Sequence, residues 1–129
     1  MGHVRSAMST SVLTIGPQHT LRDAARLMSE RKIGAAVVID PDKDHIGILT
    51  ERDILDAIGG GQDVDAETAG THLTQDVVVA GPEWDLDQAA AAMLRGGFRH
   101  LVVCEGSEVV GMLSVRDVVR AWSSAHQPV

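Results

Sequence analysis

The chain has 129 residues, 44% of them hydrophobic and 22% charged, enough to pack a core and too apolar for wholesale disorder. Its 18 acidic side chains against 11 basic ones give a formal charge of -7, which argues against a dedicated nucleic-acid binder and against electrostatic docking on anionic membranes. One cysteine, Cys104, excludes an internal disulfide and a multi-cysteine zinc site, and no apolar run has the length of a membrane span or of a secretory core. A soluble, cytoplasmic, acidic protein is the expectation that remains.

Taken in chain order, the β-branched run Val12-Leu13-Thr14-Ile15 reads as a strand, broken by Gly16-Pro17. A helix starts after Thr20, which stands at N-cap with Asp23 at N3, as in a capping box. Leu21, Ala24, Ala25 and Met28 follow at i, i+3, i+4 and i+7 and make one buried stripe. The apolar run from Ala35 to Ile39 is too short for a helix and fits a strand covered on both faces. A turn at Pro41-Asp42-Lys43-Asp44 leads to a third strand, Ile46 to Leu49, and a second helix begins at Thr50. Gly59-Gly60-Gly61-Gln62-Asp63 reads as a flexible joint after that helix.

The succession then recurs. Val77-Val78-Val79 is a strand, Gly81-Pro82 breaks it, and Asp85 with Gln88 opens a helix in the same spacing. Leu101 to Cys104, the turn Gly106-Ser107-Glu108, Val109 to Leu113 and a helix from Ser114 complete it. At a shift of 65 positions Leu21, Ala24, Ala25 and Met28 meet Leu86, Ala89, Ala90 and Met93, and Val37-Val38 meets Val102-Val103. The chain is therefore a duplication, with repeats at 1–62 and 63–129. The predicted fold class is α/β (α+β), two β-α-β-β-α repeats packed about a pseudo-twofold axis, because units this small are marginal alone.

The most specific repeated piece is Gly47-Ile48-Leu49-Thr50-Glu51-Arg52-Asp53, found again as Gly111-Met112-Leu113-Ser114-Val115-Arg116-Asp117. With the element order and the duplication, this glycine-hydrophobic-hydrophobic-[Thr/Ser]-x-x-Asp motif resembles that of tandem CBS domains (named after cystathionine β-synthase), the Bateman module. The resemblance covers about Val4 to Ala125. It implies that Val4 to Ser9, and the counterpart ending at His72-Leu73-Thr74, are the short helices that open such repeats.

The resemblance further implies an adenosine-containing ligand (AMP, ADP, ATP or S-adenosylmethionine) in the cleft between repeats, its ribose read by the motif Asp and its ribose or phosphate touched by the Thr or Ser. Carried across, one candidate site holds Asp117, Ser114 and Arg116 with Met8, Val12 and Leu13. The other holds Asp53, Thr50 and Arg52 with Leu73, Val77 and Val78. The chemistry is sound on its own terms. A carboxylate is acceptor-only and two vicinal hydroxyls supply two donors, while a helix N-terminus with free amides favours an anion. Arg99-His100, before the second repeat's middle strand, adds a forked donor and a pH-dependent one, where the first repeat has uncharged Gly34-Ala35. The Asp117 site is therefore expected to bind phosphate better, and the Asp53 site to hold nucleoside, bind weakly or stay empty. Many members of the family have proline where Val37 and Val102 stand, so the backbone donors at these positions are a departure from the pattern.

Other readings of the same residues stand beside this one. Thr50-x-x-Asp53 and Ser114-x-x-Asp117 are also ordinary capping boxes, which need no ligand. Asp40-x-Asp42-x-Asp44 with Glu51 imitates a calcium loop but has His45 where the sharp turn needs glycine. The six histidines are scattered without a metal-gripping pair, and Cys104 reads as packing. No serine sits in a nucleophile elbow, so no enzyme, required cofactor or metal is expected. The expectation is a stand-alone regulatory ligand sensor, a homodimer acting on an unknown protein partner, with Trp122, Val118, Ala92 and Leu94 as contact residues. The alternative is a ligand-free structural or partner-binding dimer whose Asp residues only cap helices.

Overall fold

The chain's apolar runs form two three-stranded sheets of one design, seen in a computed structural model that describes residues 1–42, 46–75 and 77–126. The predicted turn residues Lys43 and Asp44, and His45 of the rejected calcium loop, lie outside these. The elements are α1 (Val4–Ala7), β1 (Thr14–Ile15), α2 (Leu21–Arg31), β2 (Ala35–Ile39), β3 (Ile46–Thr50), α3 (Glu51–Gly59), α4 (Ala69–His72), β4 (Val79–Ala80), α5 (Leu86–Gly96), β5 (His100–Glu105), β6 (Glu108–Ser114) and α6 (Val115–Ala125). In each sheet the middle strand pairs parallel with the first and antiparallel with the third. The order strand, helix, strand, strand, helix occurs twice, as the duplication requires.

The compact units are Leu13–Val77, and Met1–Val12 together with Val78–Val129. Each short opening helix is thus built into the unit that carries the other repeat's sheet. The two units are made alike bond by bond. Gly70 N donates to Pro17 O and Ala69 N to His19 O in one, while Arg5 N donates to Pro82 O and Val4 N to Trp84 O in the other, all at 2.8 Å. Past each opening helix the chain runs along the third strand: Thr74 exchanges backbone bonds with Ile48 (2.8 and 3.0 Å), and Ser9 with Met112 (both 2.9 Å). Two exposed sheet edges are covered this way.

Each unit has its own core. Leu21, Ala24 and Met28 of α2 pack on Leu13, Ile15, Val38 and Leu49, and Leu86, Ala89 and Met93 of α5 pack on Val4, Leu101, Val103 and Leu113. These are the predicted helical stripes, and full burial of each leucine stabilises by roughly 2 kcal/mol. The middle strands are buried on both faces as predicted, with Ala35, Ala36, Val37 and Val38 all at 5% exposure or less.

Four local expectations are corrected. The first strands are only two residues long, because the chain passes from one unit to the other at Val12–Leu13 and Val77–Val78 and cannot keep the ladder there. Thr20 caps α2 through Asp23 N at 3.1 Å, but the return half of the box is missing, since Asp23 turns to Arg26. Asp85 makes no side-chain cap at all and its Oδ1 lies 3.8 Å from His3 Nε2. Finally, the glycine-rich joint is an ordered helix end inside Leu13–Val77. Gly60, Gly61 and Gln62 donate back to Asp56, Ile58 and Ala57, and Gly61 adopts φ 80°, which its missing side chain permits. Among the described residues no helix is long and apolar enough to cross a membrane.

Candidate functional site

The repeated motif places a third strand, a helix start and the middle strand's first residue together in each unit. Antiparallel register sets Ala35 opposite Thr50 and His100 opposite Ser114. Backbone bonds lock the corner further, since Glu51 N donates to Gly34 O and Val115 N to Arg99 O, both at 2.9 Å. His100 is half-buried, and the Arg99 side chain is exposed beside it.

Both motif acids close full capping boxes. Thr50 N and Thr50 Oγ1 donate to Asp53 Oδ2 at 2.8 and 3.0 Å, and Asp53 N donates back to Thr50 Oγ1 at 3.2 Å. Ser114 N donates to Asp117 Oδ2 at 2.9 Å, and Asp117 N to Ser114 Oγ at 3.1 Å. Each carboxylate is therefore held in one orientation by its own helix start, with Oδ2 taking the capping bonds. Among the described residues Asp53 Oδ1 has no protein donor. Asp117 Oδ1 accepts from Arg120 Nη1 at 3.2 Å, an exposed arginine that the sequence reading did not include.

The expectation of free helix amides is corrected by the same bonds. Position N1 is used by Gly34 or Arg99, and N3 by the hydroxyl, so only the amides of Arg52 and Arg116 remain without a protein acceptor among the described residues. One amide is a weaker anion cradle than an open first turn. The side chains of Arg52 and Arg116 are exposed next to it.

The motif glycines, whose role the sequence reading left open, have a clear physical reason. A β-carbon on Gly47 would lie 2.8 Å from Leu73 Cδ1 and 3.2 Å from Thr74 O, and one on Gly111 would lie 2.6 Å from Met8 Sδ and 3.0 Å from Ser9 O. Glycine lets the segment after the opening helix lie against the third strand. It also brings half-buried Leu73 into the unit of Thr50 and Asp53, and half-buried Met8 into that of Ser114 and Asp117.

The other named residues fall as follows. Val12 is half-buried in the same unit as Asp117, whereas Leu13 is buried in the core of Leu13–Val77. Val77 is half-buried in the unit of Asp53, and Val78 is 42% exposed in the other. The backbone donor gained where proline is absent is used, as Val37 N donates to Leu13 O at 2.9 Å. Among the expected contact residues Leu94 and Trp122 are exposed and Ala92 is half-buried, but Val118 packs against the core, its neighbour Val119 taking the outward position. Among the described residues no three His, Cys, Asp or Glu side chains could hold a metal ion. Partial burial pushes the Cys104 thiol above its ordinary value, which lowers its thiolate fraction.

The fold has known relatives. The profile of the CBS domain matches residues 4–60 and 69–124. The chain is 34% identical over 124 residues to an uncharacterized 17.7 kDa protein in the bps2 3' region of Acidianus ambivalens, covering 95% of this chain and 74% of that one. Among solved structures, the CBS-domain containing protein of Agrobacterium tumefaciens superposes with a TM-score of 0.85 at 32% identity, over 94% of this chain and 93% of that chain. A CBS domain protein from Pyrobaculum aerophilum, complexed with AMP, is alike in fold at 24% identity and a TM-score of 0.81, over 95% of this chain and 98% of that chain.

Proposed function

Because this chain belongs to the CBS domain family, as a tandem pair, we propose that it is a regulatory module that binds an adenosine-containing ligand at the starts of α3 and α6. One observation carries the reading: each motif carboxylate is fixed by its own capping box through Oδ2, which leaves Asp53 Oδ1, and Asp117 Oδ1 in exchange with Arg120, to accept from vicinal ribose hydroxyls. The AMP complex of the fold neighbour supports the ligand class. Thr50 or Ser114 flanks the ribose, Leu73 or Met8 offers apolar surface to the base, and Arg99, His100 and Arg116 give the Asp117 site its phosphate-facing charge. The Asp53 site lacks counterparts of Arg99 and His100 and favours the nucleoside part.

Ligand binding stabilises one arrangement of the capping boxes and opening segments and so changes the surface offered to a protein partner. The role is regulatory, with no chemistry assigned to any side chain. A second copy of the chain is the proposed occupant of α6, where Val115, Val119 and Trp122 form an exposed stripe at i, i+4 and i+7. The test is thermal denaturation with AMP, ADP, ATP and S-adenosylmethionine. A ligand at a hundredfold excess over its Kd adds about 2.7 kcal/mol of stability. If none of the four moves the Tm, the capping boxes are structural only.

A further inference from the structure

Arg5 and Gly70 occupy the same place in their respective units. Each follows the first residue of its opening helix, and each donates its backbone N–H at 2.8 Å to the proline of the turn after the first strand, Pro82 or Pro17. The Arg5 side chain reaches across that turn to two acids, with Nε 2.8 Å from Glu83 Oε1 and Nη2 3.6 Å from Glu105 Oε2. In the other unit the matching positions are Gly70, Gln18 and Asp40, at the same shift of 65 positions. There the guanidinium has no counterpart, and a cleft of about 440 Å³ lies between those residues, lined also by Pro17, Val38, Thr68, Thr71, Leu73 and Gln75.

This cleft is centred away from the motif acid Asp53, although Leu73, assigned above to the base, also lines it. Residue 35 pairs with Thr50, whereas Asp40 follows the far end of β2, ~16 Å away along a strand. Its polar wall offers acceptors. Thr71 Oγ1 donates to Thr68 O at 2.9 Å, so the contact between the Thr68 and Thr71 hydroxyls at 3.4 Å is made by the Thr68 proton. Both hydroxyls are thereby left with lone pairs to offer. Asp40 Oδ1 accepts from Asp42 N at 3.0 Å, and among the described residues no cation reaches its other oxygen. Pro17, Val38 and Leu73 supply an apolar wall suited to a short alkyl stem. The volume falls in the range of small-molecule sites.

We propose that this cleft binds a small guanidinium compound carried on a short alkyl chain, its fork standing at the place that the exposed Arg5 guanidinium holds in the other unit. Asp40 and Gln18 receive the planar donor fork as Glu105 and Glu83 receive that of Arg5, and the threonine oxygens accept the remaining N–H groups. A β-carbon on Gly70 would stand 2.9 Å from Pro17 Cβ, so glycine both opens the cleft and admits the proline.

Calorimetric titration of the intact protein with agmatine tests the assignment, with 1,4-diaminobutane as the ammonium counterpart. Saturable binding of one agmatine per chain is expected, on the order of tenfold tighter than the diamine. Asp40→Asn is expected to weaken it on the order of tenfold or more. Gly70→Arg fills the cleft and abolishes binding, and should it misfold, the reciprocal Arg5→Gly decides, because it opens a matching cleft and doubles the stoichiometry. No binding of agmatine by the wild-type protein, equal affinity for the diamine, or full affinity in Asp40→Asn would each overturn the proposal.

Discussion

Arg120 donates from Nη1 to Asp117 Oδ1 at 3.2 Å, the oxygen that faces away from the capping box. Three places beyond Asp53 stands Asp56, which offers the matching oxygen no donor. The two repeats therefore differ in whether their motif acid is already engaged by a side chain. Asp117 has Arg99 and His100 near it but shares Oδ1 with Arg120, whereas Asp53 has an open Oδ1 and, besides Arg52, uncharged Gly34 and Ala35 at the matching places.

Removing the engaged arginine separates these effects. Arg120→Ala is expected to tighten AMP binding severalfold at the Asp117 site while changing stability by less than about 1 kcal/mol, since an exposed i,i+3 ion pair contributes little. Titration calorimetry of the variant reads this directly. Weaker binding would mean that Arg120 contacts the ligand and is no competitor for the acid.

Gly111→Ala tests why the motif begins with glycine. In an ordinary strand this change stabilises, because alanine loses less chain entropy than glycine. Here the new methyl meets Ser9 O at 3.0 Å, and a backbone oxygen cannot swing aside as Met8 can. The expected outcome is a loss of about 1–3 kcal/mol in urea unfolding, with faster hydrogen exchange at the Met112 and Ser9 amides. An unchanged midpoint would contradict the close approach.

The capping boxes carry a prediction independent of any ligand. Asp53→Asn and Asp117→Asn keep the shape of the acid but weaken its bond to the N-cap amide. Each is expected to cost about 1 kcal/mol in the absence of nucleotide, measured by chemical denaturation. Losses above about 3 kcal/mol would place these acids in the core of the fold instead of at a helix start.

Cys104 is expected to alkylate slowly. Burial disfavours its thiolate, so its reaction with iodoacetamide at pH 8 falls below that of free cysteine, and the rate still climbs as pH passes the ordinary thiol value. A fast, pH-independent reaction would show an activated thiol.

The sequence made the duplication, the element order and both helix starts legible, because apolar periodicity, Gly-Pro breaks and Thr/Ser-x-x-Asp spacing are local signals. The exchange of opening helices is implied only by the family resemblance, which sets Met8 with Asp117 and Leu73 with Asp53; nothing in the residues Val4 to Met8 themselves says that they pack on Leu113 in place of the strands that follow them directly. For the same reason the first strands read too long: Val12 and Leu13 look like one strand but belong to different units. In the site, the acids were readable and Arg120 was not, because an i,i+3 pair counts only once the acid's rotamer is fixed by its cap. The amides of Glu51 and Val115 looked free in sequence but are claimed by the carbonyls of Gly34 and Arg99, residues brought there by the sheet register.

The central claim is that Asp53 and Asp117 read ribose. Its most direct test is calorimetric titration of AMP into the wild-type protein and into the double variant Asp53→Ala/Asp117→Ala, each checked for folding by circular dichroism. Saturable binding by the wild type and its disappearance in the folded double variant is the predicted result. Undiminished AMP affinity in that variant would contradict the assignment of both sites.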